Sequence, residues 1–559
     1  MVKWLSTTGI SKGAINGFLN LKYVCSSFVF NKITYHSQTE QVQKRPFSFR
    51  SADTMYGKVR SMPGAPGWHQ ETITMDDAPL EPQEWMRRNP VECLEFLFQN
   101  PSFNGEMDFG PYKVFTADGD IRVYHEMATG DDWHEQQAHL PDGTTILSMM
   151  LASDKTHLTN FTGDQRMHPL YISLGNIHKD VHRKINRHAW MLLAKLPVCK
   201  FAQTTFNTSG GTLEEAARMP GIVQQEMFHH CLEITLAPLL TVQQVPRLMT
   251  GPDGLVRACV AILMSHLADL EEQQMVAITQ TGNCSVCLVP HHAQEEYTEH
   301  PARTRDWILD PLKRLREQYP HASTFEFSQE AKRLKLGLSG CTESPYWKGF
   351  KQCPSHFVSQ DLLHGCYKFF WDHVVSWLTS TLGEAELDRR LIAQPPDNRA
   401  PHFPNGLSCI SQASGREFKA FQSIAVVVIA GHDAVTPAIM KAVRSLLDYI
   451  FIAQSPIISK IDLQLMKRSL ECFHRYKRAF IQNGSREQGH MNIPKLHALP
   501  HFMDDTCRKG TPDNFSTETP ETQHIKICKE PYCMSNKRDY AQQIVNFLDV
   551  QEKIALRML

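Results

Sequence analysis

Three acidic residues lie far apart in the chain, each at a point where a carboxylate would be presented at the end of an element. Asp154 ends a strand-like run (TTILSMMLASD), Asp253 follows another (PRLMTGPDG), and Glu521 opens a helix-like segment (STETPETQHIKICKE). Carboxylates gathered from distant parts of a chain are what two-metal phosphoryl transfer requires, because hard oxygen donors hold Mg²⁺ or Mn²⁺. If the three converge, the chain cuts or joins nucleic acid. Each also has a plainer reading: Asp154 in SDKT as a cap, Asp253 in PDG as a turn residue. Glu518 stands three residues before Glu521 on the same helix face and competes for the glutamate role.

A second donor set is softer. Cys284-Ser-Val-Cys287 can offer two thiolates to Zn²⁺, and His497 and His501 in KLHALPH would share one face of a helical turn. Together they make a Cys₂His₂ set, with His291 and His292 as substitutes; Pro500 weighs against a regular helix there. Such a zinc would be structural, tying the edge of the first catalytic segment to the stretch before Glu521. Otherwise the pair is a cysteine turn beside core histidines. Asp361-Leu-Leu-His364 starts a strongly apolar helical pattern. It reads either as an N-cap with a packed histidine or as a polar pair facing the site and the scissile strand. Lys179, Arg183, Lys184 and Arg187, with Lys195 and Lys200 nearby, are expected DNA phosphate contacts. So are Lys467, Arg468, Arg475, Lys477 and Arg478, and the late pair Lys537 and Arg538. The bland reading of each run is a solvated face.

The elements that must position these residues form a recognisable order. A strand leads to Asp154, a second spans HPLYISLGN, and a third spans AWMLLAKLPV. An amphipathic helix over about 213–240, interrupted at Pro220, precedes a strand ending near Asp253, a helix (LVRACVAILMSHLADL) and a short fifth strand (QQMVAITQ). This β-β-β-α-β-α-β order is that of the ribonuclease-H-like fold. The fold class is therefore α/β, a ribonuclease-H-like mixed sheet with a large all-helical insertion and an α+β N-terminal region. Residues 1–140 form that N-terminal region, with a divided helix over 82–98 and a hairpin at the ADGD turn. The catalytic core runs over 141–287 and resumes at 496–559, and 288–495 is the helical insertion.

Bulk composition is consistent with this. The chain has 559 residues, too many for one simple core, and is 42% hydrophobic and 21% charged. A net charge of −1 argues against a histone-like DNA binder but not against a local basic groove. Fifteen cysteines, mostly single, fit a reducing compartment, and there is no secretory signal pattern and no run of 18 apolar residues. The basic, acid-poor opening over residues 1–50 reads either as a mitochondrial presequence or as a helix capped by Ser11.

The blocks YISLGNIHKDVHRKINRHAWMLLAKLPV, ASDKTHLTNFTGD, PDGLVRACVAILMSHLADL, CSVC, DLLHGCYKFFWDH, NIPKLHALPH, TETPETQHI and SNKRDYAQQIVNFL resemble successive blocks of the Plavaka transposases, fungal relatives of the CACTA group. The resemblance implies a DDE catalytic domain that uses two Mg²⁺ or Mn²⁺ ions on Asp154, Asp253 and Glu521. It also implies cut-and-paste movement of an element bounded by terminal inverted repeats. Asp361 and His364 match the C/DxxH motif of related superfamilies, and Glu521 with His524 matches their catalytic helix, with Thr522 in place of an arginine. It strengthens the structural Zn²⁺ on Cys284, Cys287, His497 and His501. Double-stranded DNA, a homo-oligomer and a nuclear location follow by the same analogy. Transposases of this kind commonly carry an N-terminal zinc-finger-like region, and no paired cysteines precede Asp154 here. The alternative is a catalytically inactive, transposon-derived DNA-binding or assembly protein. An unrelated zinc metalloenzyme ranks last, since the chain has no HExxH motif.

Overall fold

The structure is a computed structural model and describes residues 2–7, 10–19, 49–159, 165–206, 208, 210–396, 402–538 and 540–557. Most of the presequence-like opening, from residue 20 to 48, lies outside these residues, as do five residues of the THLTNFTGD block. The chain divides into two compact units: Met1–Trp68, Leu158–Gln165 and Gln523–Leu559 in one, His69–His157 and Arg166–Thr522 in the other.

The larger unit is built on a mixed sheet. Its strands are β1 (His69–Met75), β2 (Ala78–Arg87), β5 (Thr144–Ser153), β6 (Thr156–His157), β7 (Arg166–Leu174), β8 (Met191–Leu196), β9 (Arg247–Thr250) and β10 (Val256–Leu267). A separate three-stranded sheet joins β3 (Val114–Phe115), β4 (Arg122–Tyr124) and β11 (Ile458–Ser459). In the main sheet the order is β1-β2-β8-β7-β5-β10-β9, with β6 paired to β7. The neighbours of β5 are antiparallel β7 and parallel β10. This is a mixed sheet, with β5, β7 and β8 as an antiparallel meander and β10 parallel to β5. All ten residues of β5 are buried, which is how a central strand covered on both faces reads.

Four elements differ from the sequence reading. Residues 82–87 belong to β2, and only Pro90–Phe98 is helical, capped by Asn89; β1 and β2 thereby make the N-terminal region part of the sheet. The run VRACVAILMSHL is strand β10. Its residues are buried on both faces past Arg257, so it shows no period-2 alternation, and at twelve residues it has a helix's length. The segment after it, Leu270–Val276, is a helix capped by Asp269, and not a fifth strand. The helix over Leu213–Gln244 also continues through Pro220 and Pro238, because Val223, Met227, Cys231, Leu232, Leu236 and Leu239 hold its apolar face in the core.

Residues 362–503 fold around their own hydrophobic core, with Tyr367, Phe370, Leu378, Phe421, Val443, Tyr449 and Phe473 among its buried members. The helices Gly415–Ile429, Pro437–Ala453 and Lys460–Tyr476 each start at a capped serine or threonine.

The smaller unit is helical. Leu5, Ile15, Leu19, Ala52 and Met55 form one buried cluster, and Val59, Val550 and Ile554 another. Its Lys12–Leu19 helix begins after Ser11, whose hydroxyl accepts a bond from Ala14 N–H at 3.1 Å. The C-terminal segment from Gln523 packs in this unit and not with the sheet.

Candidate active site

Parallel strands set the geometry of the site. Ala152 of β5 pairs with Leu267 of β10, so the next turn of chain on each brings Asp154 and Asp269 to the same end of two neighbouring strands. Adjacent strands lie about 4.8 Å apart, close enough for two carboxylates to feel each other strongly. Burial pushes the Asp154 carboxyl up to about 8, and Glu272, Asp269 and Glu521 push it the same way against the opposing pull of His364. Glu521 is pushed up to about 7 by burial, with Asp361 and Asp269 adding to it and His364 opposing. Asp154, Asp269 and Glu521 therefore lie within electrostatic reach of one another.

Asp253 is elsewhere. It sits in the five-residue turn between β9 and β10, at the other end of β10 from Asp269, and the twelve-residue strand between them spans about 40 Å. Its carboxylate accepts Leu255 N–H at 3.1 Å and both Arg257 amino groups at 2.8 and 2.6 Å. That guanidinium holds it down to about 2. Asp253 is a turn residue in the structure, and Asp269, not Asp253, follows the end of β10 beside Asp154. The reading of β10 as a helix hid it: an aspartate closing a central parallel strand was the available signal.

Asp361 and His364 do come to the cleft, in different roles. The Asp361 carboxylate is buried and fully engaged: it accepts His364 N–H at 2.8 Å, Thr517 N–H at 2.8 Å, the Thr517 hydroxyl at 2.8 Å and His364 Nδ1 at 2.7 Å. It caps the π-helical turn Leu362–Lys368 and fastens the start of the Glu521 helix to it. These four bonds commit the carboxylate to holding Thr517 and His364 in place. His364 faces the cleft, with Nε2 3.2 Å from Glu521 Oε1. Burial works against its charge, but Asp361, Glu521 and Asp269 outweigh it and raise it to about 9. His364 is thus the cation that balances the carboxylates. Glu518 points away and pairs with Lys419 at 2.5 Å.

Behind Asp154 lies a buried chain that the sequence did not disclose. Glu272 bonds His168 Nε2 at 2.8 Å; Ser153 bonds His266 Nε2 at 2.8 Å, and His266 Nδ1 lies 2.6 Å from the Tyr346 hydroxyl. Burial would raise Glu272, but His168 and Ser153 outweigh it and hold it at about 2. These bonds fix the ends of β5, β7 and β10 against one another. Lys495 pairs with Asp372 at 3.5 Å and lies within electrostatic reach of Asp269.

Cys284, Cys287, His497 and His501 come together with all four donor atoms within 4.8 Å of one another. Cys287 Sγ is 3.1 Å from His497 Nε2 and Cys284 Sγ is 3.5 Å from His501 Nε2. The knuckle is preformed: Val286 and Cys287 N–H groups both point at Cys284 Sγ at 3.4 Å. The buried Arg303 guanidinium donates to the Cys284 and Cys287 carbonyls at 3.0 and 3.4 Å. The hydrogen bond from Cys287 and the two histidines draw the Cys284 thiol well down against the effect of burial. Two sulfurs and two imidazoles at these separations fit a tetrahedral Zn²⁺. His291 and His292 are not in the cluster; they form a short turn after Pro290.

Residues 49–378 match the family model described as Plavaka transposase. The chain belongs to the Plavaka transposase family. Its function is that of a transposase, a class of enzyme that acts on DNA with divalent metal. The match covers Asp154, Asp269, Cys284, Cys287, Asp361 and His364 and stops before His497, His501 and Glu521. No curated protein matches the chain. Among the described residues of this Plavaka-family chain, no helix is long and apolar enough to cross a membrane.

The expected DNA contacts over 179–187 are largely spent inside this transposase. Lys179 is buried, donating to Thr511 at 2.7 Å and pairing with Asp513 at 3.2 Å. Arg183 also pairs with Asp513, and Arg187 donates to the Ser102 carbonyl. Only Lys184 of the four is exposed without such a partner among the described residues. The segment leaves β7 at the end remote from Asp154, since Leu174 pairs with Met149 and Ser153 with Leu170. Lys477 is likewise buried, bonded to His474 at 2.8 Å and to the Glu295 carbonyl. Lys537 and Arg538 are exposed, in the smaller unit.

Proposed function

We propose that the chain cleaves and rejoins DNA at terminal inverted repeats by two-metal phosphoryl transfer, with Asp154, Asp269 and Glu521 as the carboxylates that hold Mg²⁺ or Mn²⁺. The carrying observation is that Asp154 and Asp269 follow the same ends of β5 and β10 with Glu521 in electrostatic reach, where burial and mutual repulsion raise Asp154 to about 8 and Glu521 to about 7. Hard oxygen donors held this way, with one histidinium as their balance, suit a divalent cation and little else. A bound pair of such ions supplies charge stabilisation to the attacking and leaving oxygens of the phosphodiester.

The chain's own residues prepare that site. Asp361 holds the Glu521 helix and the His364 ring in one arrangement through its four accepted bonds. His364 and Lys495 present positive charge at the cleft, where the phosphate of a scissile strand would gain from it. The Glu272–His168 and Ser153–His266–Tyr346 bonds keep the strand ends from spreading as the carboxylates ionise. Cys284, Cys287, His497 and His501 hold a structural Zn²⁺ in this reading, tying the stretch after β10 to the segment that leads to Glu521. Synapsis of two element ends would use more than one copy, and the work would be done in the nucleus.

The test is nicking of a labelled duplex carrying an inverted repeat, with Mn²⁺ or Mg²⁺. Wild type nicks at the repeat boundary, and Asp154→Asn, Asp269→Asn and Glu521→Gln each bind without nicking. If Asp253→Asn abolished nicking while Asp269→Asn did not, this assignment would fall. Binding by the wild type without any nicking would favour the catalytically inactive descendant.

A further inference from the structure

The near-neutral total charge hides a division. Residues 1–68, 158–165 and 523–559, which make up the smaller unit, hold 15 Lys and Arg against 7 Asp and Glu, a formal +8. The remaining 446 residues hold 43 against 52, a formal −9. A catalytic unit of that sign repels a polyanion at distances beyond its own cleft, so attraction has to come from elsewhere in the chain.

Three of the four acids described in the smaller unit are paired within it. Asp53 pairs with Lys12 at 2.5 Å, Glu530 with Lys526 at 2.7 Å, and Asp549 with Lys553 at 2.9 Å. Arg50, Lys58, Arg60, Lys529, Lys537, Arg538 and Arg557 are exposed and meet no carboxylate among the described residues. Seven unbalanced cations on so small a helical body are more than a solvated face needs.

One of them is held in an unfavourable shape. Lys537 adopts a left-handed backbone, φ 62°, which residues with a side chain rarely enter. The neighbouring amides fasten it there. Asn536 N–H donates to Gln543 Oε1 at 3.0 Å, and Arg538 N–H donates to Asn536 Oδ1 at 2.8 Å. The Gln543 amide donates to Asn536 Oδ1 at 2.8 Å and to the Arg538 carbonyl at 2.7 Å. Lys537 N–H is taken by the Ser535 hydroxyl at 3.1 Å. Two adjacent cations are thereby presented from a turn that is ordered before any partner arrives, so a contact made there loses little entropy.

We infer that the smaller unit is the chain's duplex-DNA-binding module. It grips the phosphate backbone with Arg50, Lys58, Arg60, Lys529 and Arg557, and the Asn536–Arg538 turn is its fixed point. The inference rests on the reading that the chain acts on DNA but not on which carboxylates do the chemistry. DNA binding and strand cleavage would then be divided between two units of opposite charge.

The experiment is duplex binding by the full chain in EDTA, with affinity followed against salt. Removing a phosphate contact lowers the slope of log affinity against log salt by about 0.9. The triple variant Lys529→Gln, Lys537→Gln, Arg538→Gln is expected to lower it by about 2 to 3 and to weaken binding more than ten-fold at physiological salt. Lys313→Gln, Arg314→Gln, Arg333→Gln, which removes the same charge from exposed positions of the larger unit, is expected to leave the slope unchanged. If the triple variant is misfolded by circular dichroism, Lys537→Gly with Arg538→Gln relaxes the strained turn and still removes both charges. An unchanged slope in the first set, an equal fall in both sets, or no binding by wild type would each overturn the inference. Wild type that binds in EDTA but does not nick when Mn²⁺ is added would leave it standing and sink only the proposed chemistry.

Discussion

The Cys₂His₂ cluster and the carboxylate cleft are both assembled from residues more than 200 positions apart, yet they are built on opposite electrostatic terms. In the cluster, thiolate and imidazole compensate one another: Cys284 is drawn down while His501 is drawn up despite burial. In the cleft, like charges are pressed together, Asp154 and Glu521 are raised, and His364 is the main counterweight. A site that balances itself can serve as a fastener. A site that is short of positive charge is poised to bind it, which is what separates a structural metal centre from a catalytic one.

The sharpest way to break this contrast is in the cleft. Asp154→Asn or Asp269→Asn is expected to lower nicking by about 10³-fold or more, since several kcal/mol of transition-state stabilisation goes with the lost ligand. Asp253→Asn should stay within about three-fold of wild type, because its ion pair with Arg257 lies at the far end of β10. Comparable losses in all three would erase the distinction between the two ends of that strand.

The cluster predicts a different failure. Cys287→Ser or His497→Gln is expected to remove zinc from the purified protein, measured by metal analysis. Thermal stability should fall by several kcal/mol, because binding energy of a structural zinc is folding energy. Asp154→Asn should leave the zinc content untouched. A variant without zinc that melted like wild type would deny the cluster its fastening role.

The charge imbalance itself can be read from stability against pH. Asp154 is raised from an ordinary 3.8 to about 8, so its contribution is fully present below pH 4 and is lost as pH rises through 8. Metal-free protein should therefore lose on the order of a few kcal/mol between pH 5 and 9, and Asp154→Asn should flatten that fall. Mg²⁺ or Mn²⁺ should restore it and release protons near pH 7, measurable by calorimetry in buffers of different ionisation enthalpy. A metal-free curve that rose over this range would contradict the crowding of carboxylates.

The smallest effect separates the two glutamates. Glu518→Gln breaks an exposed pair with Lys419, worth about 0–1 kcal/mol, and should change nicking by no more than several-fold. Glu521→Gln should behave like Asp154→Asn. Equal losses would mean that the His364 contact does not mark the working carboxylate.

The two sites were also unequally legible. Each half of the cluster is a pair with its own short spacing, CxxC and HxxxH, so the sequence specifies two local pieces and the fold has only to join them. The cleft is made of single residues, and a lone aspartate after a strand looks the same whether it caps, turns or binds metal. Asp154 was readable because β5 is flanked by clear turns. Asp269 was hidden because a strand buried on both faces loses its alternation, and Asp253 took its place on the strength of a nearby turn. Lys179 was read as a DNA contact because nothing in its neighbourhood announced Asp513, more than 300 residues away.

What the sequence by itself determined is the local chemistry: the knuckle, the Asp361 cap, the strand before Asp154, the capped helices of the insertion and the family. The tertiary structure decided which aspartate joins Asp154, which glutamate faces His364, and which lysines are spent as struts. It also decided that two stretches from opposite ends of the sequence gather its excess positive charge into one unit. The reason is range. Caps, knuckles and periodicity act over a few residues, whereas strand register and ion pairing act between segments whose separation along the chain carries no information about their separation in space.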